Sequence, residues 1–70
     1  MMPLTFADME KEYTIKCLGG SPQVKRHLEE LGLVQGGKVK IVNSVAGNLI
    51  VNVKESRIAL SREMALKIMV

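Results

Sequence analysis

Tryptophan is absent from this 70-residue chain, and Phe6 and Tyr13 are its only aromatic residues. The core must therefore be aliphatic. The stacking platform on which small barrels hold single-stranded nucleic acid is missing, and so are the aromatic walls of a groove for proline-rich peptides. Cys17 is the single cysteine. It cannot form an internal disulfide, and a domain this small with no cross-link belongs in a reducing compartment. With one cysteine and one histidine, His27, the chain offers almost nothing for nucleophilic or acid–base catalysis. No apolar run approaches the ~18 residues of a membrane span. The first residues include Asp8, Glu10 and Glu12 where an export signal needs a basic start and an apolar stretch. The expectation is a cytoplasmic protein that is not an enzyme and meets a membrane only through a partner.

What is present is enough for one domain spanning residues 1–70. Hydrophobic residues make up 47% of the chain, too many for a disordered segment. A domain of this size buries only about 60% of its unfolded surface, which leaves little room for a deep cavity. The net charge of +3 is uneven: residues 1 to 12 carry −2 and the remainder +5. Such a mild basic bias can speed encounter with an acidic surface, and more often simply favours solubility.

The stretch Leu28 to Val42 organises the rest. Val24, Leu28 and Leu31 repeat at helical spacing, whereas Val39 and Ile41 alternate with Lys38 and Lys40, so a helix ends and a strand begins between them. Gly32 supplies the stop, with Leu33 folding back onto Leu28 as in a Schellman cap. Gly36 and Gly37 make the turn into the strand.

Met1 to Glu10 reads as an ordered lead-in, with Leu4 and Phe6 placed to cover one edge of the core. Tyr13, Ile15 and Cys17 alternate with Thr14 and Lys16, predicting a first strand from Tyr13 to Leu18 with one buried face. Ser21-Pro22 starts a helix, the serine capping free amides and the proline standing where no hydrogen bond is lost. That helix runs to about Leu31. Lys25, Arg26, Glu29 and Glu30 form its solvated face, and their pairs four apart contribute only a few tenths of a kcal/mol each. Three strands follow, Lys38 to Val45, Leu49 to Lys54 and Arg57 to Leu60, joined closely enough to form an antiparallel meander. Alternation fails at Asn43, which predicts a bulge. Ser61 caps a helical turn from Arg62 to Lys67, and Ile68-Met69-Val70 forms a last strand that returns beside the first. The fold class is mainly β with short helices, a small SH3-like barrel of about five strands.

In this order the residues Leu28-Glu-Glu-Leu-Gly-Leu33, Gly36 with Val39-Lys-Ile41, Gly47-Asn-Leu-Ile-Val51, and Arg57-Ile-Ala-Leu60 running on to Ala65 and Ile68-Met-Val70 resemble the FeoA family. That family is the small cytoplasmic component of bacterial ferrous-iron uptake. The resemblance implies an SH3-like barrel without enzymatic activity that acts on FeoB, the membrane transporter carrying a cytoplasmic G domain. Two positions depart from the family pattern. Gln35 stands where a proline is frequent, and Glu55 stands where a glycine is common, which predicts a wider turn before Arg57. Similar barrels also occur fused to iron-dependent repressors, a role for which residues 1–70 supply no DNA-binding domain.

For a partner-binding site the candidates are Val34, Lys38, Lys40, Val42 and Ile50, aliphatic residues on outer faces beside two lysines, with Leu18 a further apolar position. The same residues could serve weak self-association. A nucleic-acid-binding small barrel is the alternative, because Lys38, Lys40, Lys54 and Arg57 can share a face. Gly19-Gly20-Ser21 precedes a helix but lacks the lysine and glycine spacing of a nucleotide loop, so no cofactor is expected. Cys17 and His27 are the only soft metal ligands, with Glu30 one turn from His27. Cys17 is predicted inward, where a thiol behaves as a small hydrophobe, and no metal site is expected. Exhaustive chelation should then leave the circular dichroism spectrum and melting temperature unchanged; a stoichiometric ion that survives chelation and is lost on changing Cys17 or His27 would refute this.

Overall fold

The computed structural model describes all residues, Met1–Val70. A 3₁₀ turn at Leu4–Phe6 leads into β1 (Glu12–Thr14) and β2 (Cys17–Leu18), followed by α1 (Pro22–Glu30). Then come β3 (Lys38–Val45), β4 (Asn48–Val53), β5 (Ser56–Leu60), α2 (Arg62–Ala65) and β6 (Ile68–Met69). The strands form two antiparallel sheets, one in the order β1-β3-β4-β5 and one pairing β2 with β6.

The expected single first strand is thus two strands, and the count is six rather than about five. The break falls at Ile15 and Lys16, where the chain passes from one sheet to the other. Ile15 exchanges hydrogen bonds with the turn before β3, its amide donating to the Gly37 carbonyl (2.8 Å) and its carbonyl accepting from the Gly36 amide (2.8 Å). The next amide, that of Lys16, donates to the carbonyl of Met69 in β6 (2.7 Å). Beyond β6 the two ends of the chain pair reciprocally, Met2 N–H to the Val70 carbonyl (2.9 Å) and Val70 N–H to that of Met2 (2.8 Å).

Local signals set α1 as expected. The Ser21 hydroxyl accepts from Val24 N–H, and Pro22 opens the helix. At the other end Gly32, at φ +97°, lets its amide reach Glu29 and the Leu33 amide reach Leu28, which is the Schellman pattern. The meander also forms, with a register shift between Ile41 and Asn43 where alternation fails. The β3–β4 connection is a two-residue turn, Ala46-Gly47, both at positive φ. The turn before Arg57 is no wider: Lys54-Glu55 also spans two residues, and the left-handed position is Lys54 (φ +57°) rather than Glu55.

All 13 buried residues are hydrophobic, and all belong to one cluster. Ile41, Val51, Leu49 and Leu60 line it from the large sheet, Leu28 and Leu33 from the α1 cap, and Leu4, Ala65 and Ile68 close the ends. Phe6 does not cover the core edge, being 71% exposed. A 3₁₀ turn has about three residues per revolution, so Leu4 and Phe6 cannot point the same way as they would on a strand. Because Ala46 sits at φ +53° in a turn that favours Asn-Gly, Ala46→Asn should raise unfolding stability by ~0.5–1 kcal/mol, read from urea denaturation.

Candidate functional site

Residues opposite one another in an antiparallel register show their side chains on the same face. Outside the core, the four-stranded sheet therefore displays Thr14 beside Lys38, then the row Glu12, Lys40, Asn52, Arg57, then Asn43, Ile50 and Ala59. The three bases Lys38, Lys40 and Arg57 share this face, whereas Lys54 lies in the hairpin turn.

Within this face Lys40, Val42 and Ile50 line one concavity of about 430 Å³. Asn43, Asn52, Arg57 and Glu10 complete its walls. Three of the five expected partner-binding residues thus come together. Lys38 stands just outside, its ammonium donating to the Thr14 hydroxyl (2.6 Å). Val34 does not join them; it is half-buried in the loop between α1 and β3, where its carbonyl accepts from Gly37 N–H (2.9 Å). Leu18 packs against the core and faces a different cleft, shared with Lys25 and Glu29.

The charges of the concavity are only partly matched. Lys40 Nζ lies 3.7 Å from a Glu10 carboxylate oxygen, with side chains 41% and 69% exposed, so the pair is a weak surface ion pair. Arg57 Nε donates to Asn52 Oδ1 at 3.4 Å and has no carboxylate at ion-pair distance. Glu10 holds a left-handed backbone conformation, φ +66°, fixed by its amide donating to the Ile41 carbonyl (2.8 Å). Sequence reasoning left Glu10, Asn43 and Asn52 out of this site, since Asn43 and Asn52 are brought in by the β3–β4 register and Glu10 by its hydrogen bond to Ile41.

Cys17 and His27 lie in separate clefts. His27 is exposed on α1 beside Arg26 and Glu30, while Cys17 is half-buried in the cleft of Leu18 and Lys25, its Sγ 3.7 Å from Met1 Sδ. No three histidine, cysteine, aspartate or glutamate side chains are grouped to hold a metal ion. The inward position expected for Cys17 is only half realised, because the strand break turns β2 toward the sheet surface.

A second surface feature escaped the sequence reading. Phe6 and Leu66, 71% and 40% exposed, flank a groove of about 180 Å³ with Thr5, Leu49 and Arg62. Leu66 falls off the helical stripe set by Ala65 and Ile68, the one signal that could have exposed it. Thr5 Oγ1 is shut off from water without a hydrogen-bond partner. An orphan buried hydroxyl is costly, so Thr5→Val should leave the melting temperature unchanged or raise it, by up to ~1 kcal/mol of stability; a marked fall would mean that the hydroxyl is paired in solution.

No helix is long and apolar enough to cross a membrane. A family model described as the FeoA domain matches residues 2–70. The chain is 34% identical over 70 residues to the "Putative Fe(2+) transport protein A" of Methanocaldococcus jannaschii, covering all of this chain and 85% of that one. Among solved structures, the solution structure of FeoA from Chlorobium tepidum superposes with a TM-score of 0.87 at 26% identity, over 97% of this chain and 67% of that chain. A zinc-complexed FeoA from Stenotrophomonas maltophilia, described as a prokaryotic SH3 domain protein, superposes with a TM-score of 0.83 at 24% identity, over 99% and 88% of the two chains. The six strands here are arranged as in that SH3-like fold.

Proposed function

The chain belongs to the FeoA family of ferrous-iron transport, and from that premise we propose that it is a non-catalytic accessory protein that contacts the cytoplasmic part of a FeoB-type transporter. The observation that carries this reading is the outer face of the large sheet. There the aliphatic side chains of Val42 and Ile50, half-buried, lie beside the row Lys40, Asn52, Arg57, so that apolar and charged groups share one concavity. The barrel interior supports the same conclusion from the other side. The fully buried side chains are all hydrocarbon and the enclosed Thr5 hydroxyl has no partner, so the interior offers no proton relay.

On this reading the protein acts in the cytoplasm, where the G domain of the transporter lies, and reaches the membrane only through that partner. The face built around Lys40, Val42 and Ile50, with Lys38 at its border, is the contact. Val34 sits away from it and is not required. The small area available fits a reversible contact better than a permanent one.

The test is co-purification with the full-length FeoB-type transporter in detergent, in its GDP-bound and GTP-bound states. Ile50→Glu, which places a charge at the centre of the face without touching the core, should keep the wild-type melting temperature and weaken association at least about tenfold. Unaltered association of Ile50→Glu would remove this face from consideration. Absence of wild-type association in both nucleotide states would overturn the transporter contact itself.

A further inference from the structure

We propose that the concavity on the outer sheet face receives a partner segment bearing a carboxylate beside an aliphatic side chain, and that Glu10 stands in for that carboxylate in the free protein. The inference rests on the transporter reading and specifies the chemistry of the same site. Two of its lining residues, Val42 and Ile50, are aliphatic and half-buried. On the β5 side Arg57 has only an amide oxygen, that of Asn52, at 3.4 Å. On the β1 side Lys40 has Glu10, whose carboxylate reaches it at 3.7 Å. A cation without a counter-ion, a cation with a loosely held one and two aliphatic side chains beside them together fit an acidic and apolar segment.

Glu10 is placed for this role by its backbone. Glutamate seldom takes φ +66°, and here the conformation is held by the amide bond to Ile41 in the strand that carries Lys40. The side chain is therefore delivered to the rim of the concavity, yet the ion pair it forms is exposed and easily broken. Glu12, opposite Lys40 in the register, adds a second acid at the same edge. The charged groups around the concavity are then Lys38, Lys40 and Arg57 against Glu10 and Glu12. This mixture opposes a nucleic-acid backbone, whose phosphates would meet both carboxylates and find no aromatic ring to stack on. A protein segment with a single acidic group can instead displace Glu10 from Lys40 and engage Arg57.

The consequence is that removing an acidic residue from the site tightens binding. Wild type, Glu10→Gln, Glu10→Gly and Arg57→Glu are titrated against the full-length FeoB-type transporter in detergent at low and physiological salt. Glu10→Gln and Glu10→Gly should each bind about three- to tenfold tighter than wild type, and the gain should shrink as salt rises. Arg57→Glu should bind at least about tenfold more weakly. Wild-type binding that Ile50→Glu weakens, with Glu10→Gln equal to wild type, would overturn this inference and leave the transporter contact standing. Tightening in Glu10→Gly alone would also overturn it, because relief of the backbone rather than of the charge would then be responsible. A gain by Glu10→Gln toward a single-stranded RNA oligomer, absent toward the transporter, would replace the protein segment by a nucleic acid. No wild-type association at all would sink both readings.

Discussion

One short run of chain has to serve two sheets, and the architecture depends on how it does so. From Glu12 to Thr14 the backbone pairs with β3; from Cys17 to Leu18 it pairs with β6. Between them Ile15 and Lys16 turn their hydrogen bonds from the Gly36-Gly37 turn to Met69 within a single residue step. Extended geometry permits this, because the amides of consecutive residues point to opposite edges, that of Ile15 to the Gly36-Gly37 turn and that of Lys16 to β6. This two-sided pairing brings β6 alongside, and the Ile15 side chain, 1% exposed, lies in the core. The β3–β4–β5 meander then curls over that core, and the Schellman cap of α1 packs Leu28 and Leu33 against it.

The same closure explains why polar and charged side chains lie outside. A barrel this narrow has an interior filled by branched aliphatic side chains, and a polar group there would need a partner that the core does not offer. The concavities lie on the surface instead, and two of them border the β3–β4 hairpin. One is the outer face with Lys40, Val42 and Ile50. The other is the end of the barrel, where Ser44 and Leu49 meet Phe6, Arg62 and Leu66. The register shift between Ile41 and Asn43 links them, since it changes which β3 side chains face outward along the hairpin.

Legibility in the sequence followed the range of the interactions. The start and stop of α1, the bulge near Asn43 and the meander could all be read, because caps, glycines and alternation act over a few residues. The split of Tyr13–Leu18 could not. Its alternation is that of a continuous strand, and only Gly37 and Met69, far along the chain, decide where it breaks. Phe6 was misplaced because Leu4 and Phe6 fit a strand period as well as they fit a 3₁₀ turn. At Lys54-Glu55 the departure from glycine was visible, but a pairing of Val53 with Ser56 holds the turn tight and transfers the left-handed residue to Lys54. For the site, outward-facing residues within a strand were legible as a group. Glu10 was not, since a loop residue joins a sheet face only through its hydrogen bond to Ile41.

The reciprocal hydrogen bonds between Met2 and Val70 carry a consequence for biosynthesis. Contacts joining residues so remote in sequence form late, after loop-closure entropy has been overcome by the intervening structure. A nascent chain emerging from the ribosome can form α1 and then the β3–β4 hairpin as each clears the exit, but its opening residues must wait unpaired. Only when residues 68–70 emerge do β2 and the first residues gain their neighbours, so this barrel closes last at its sixth strand.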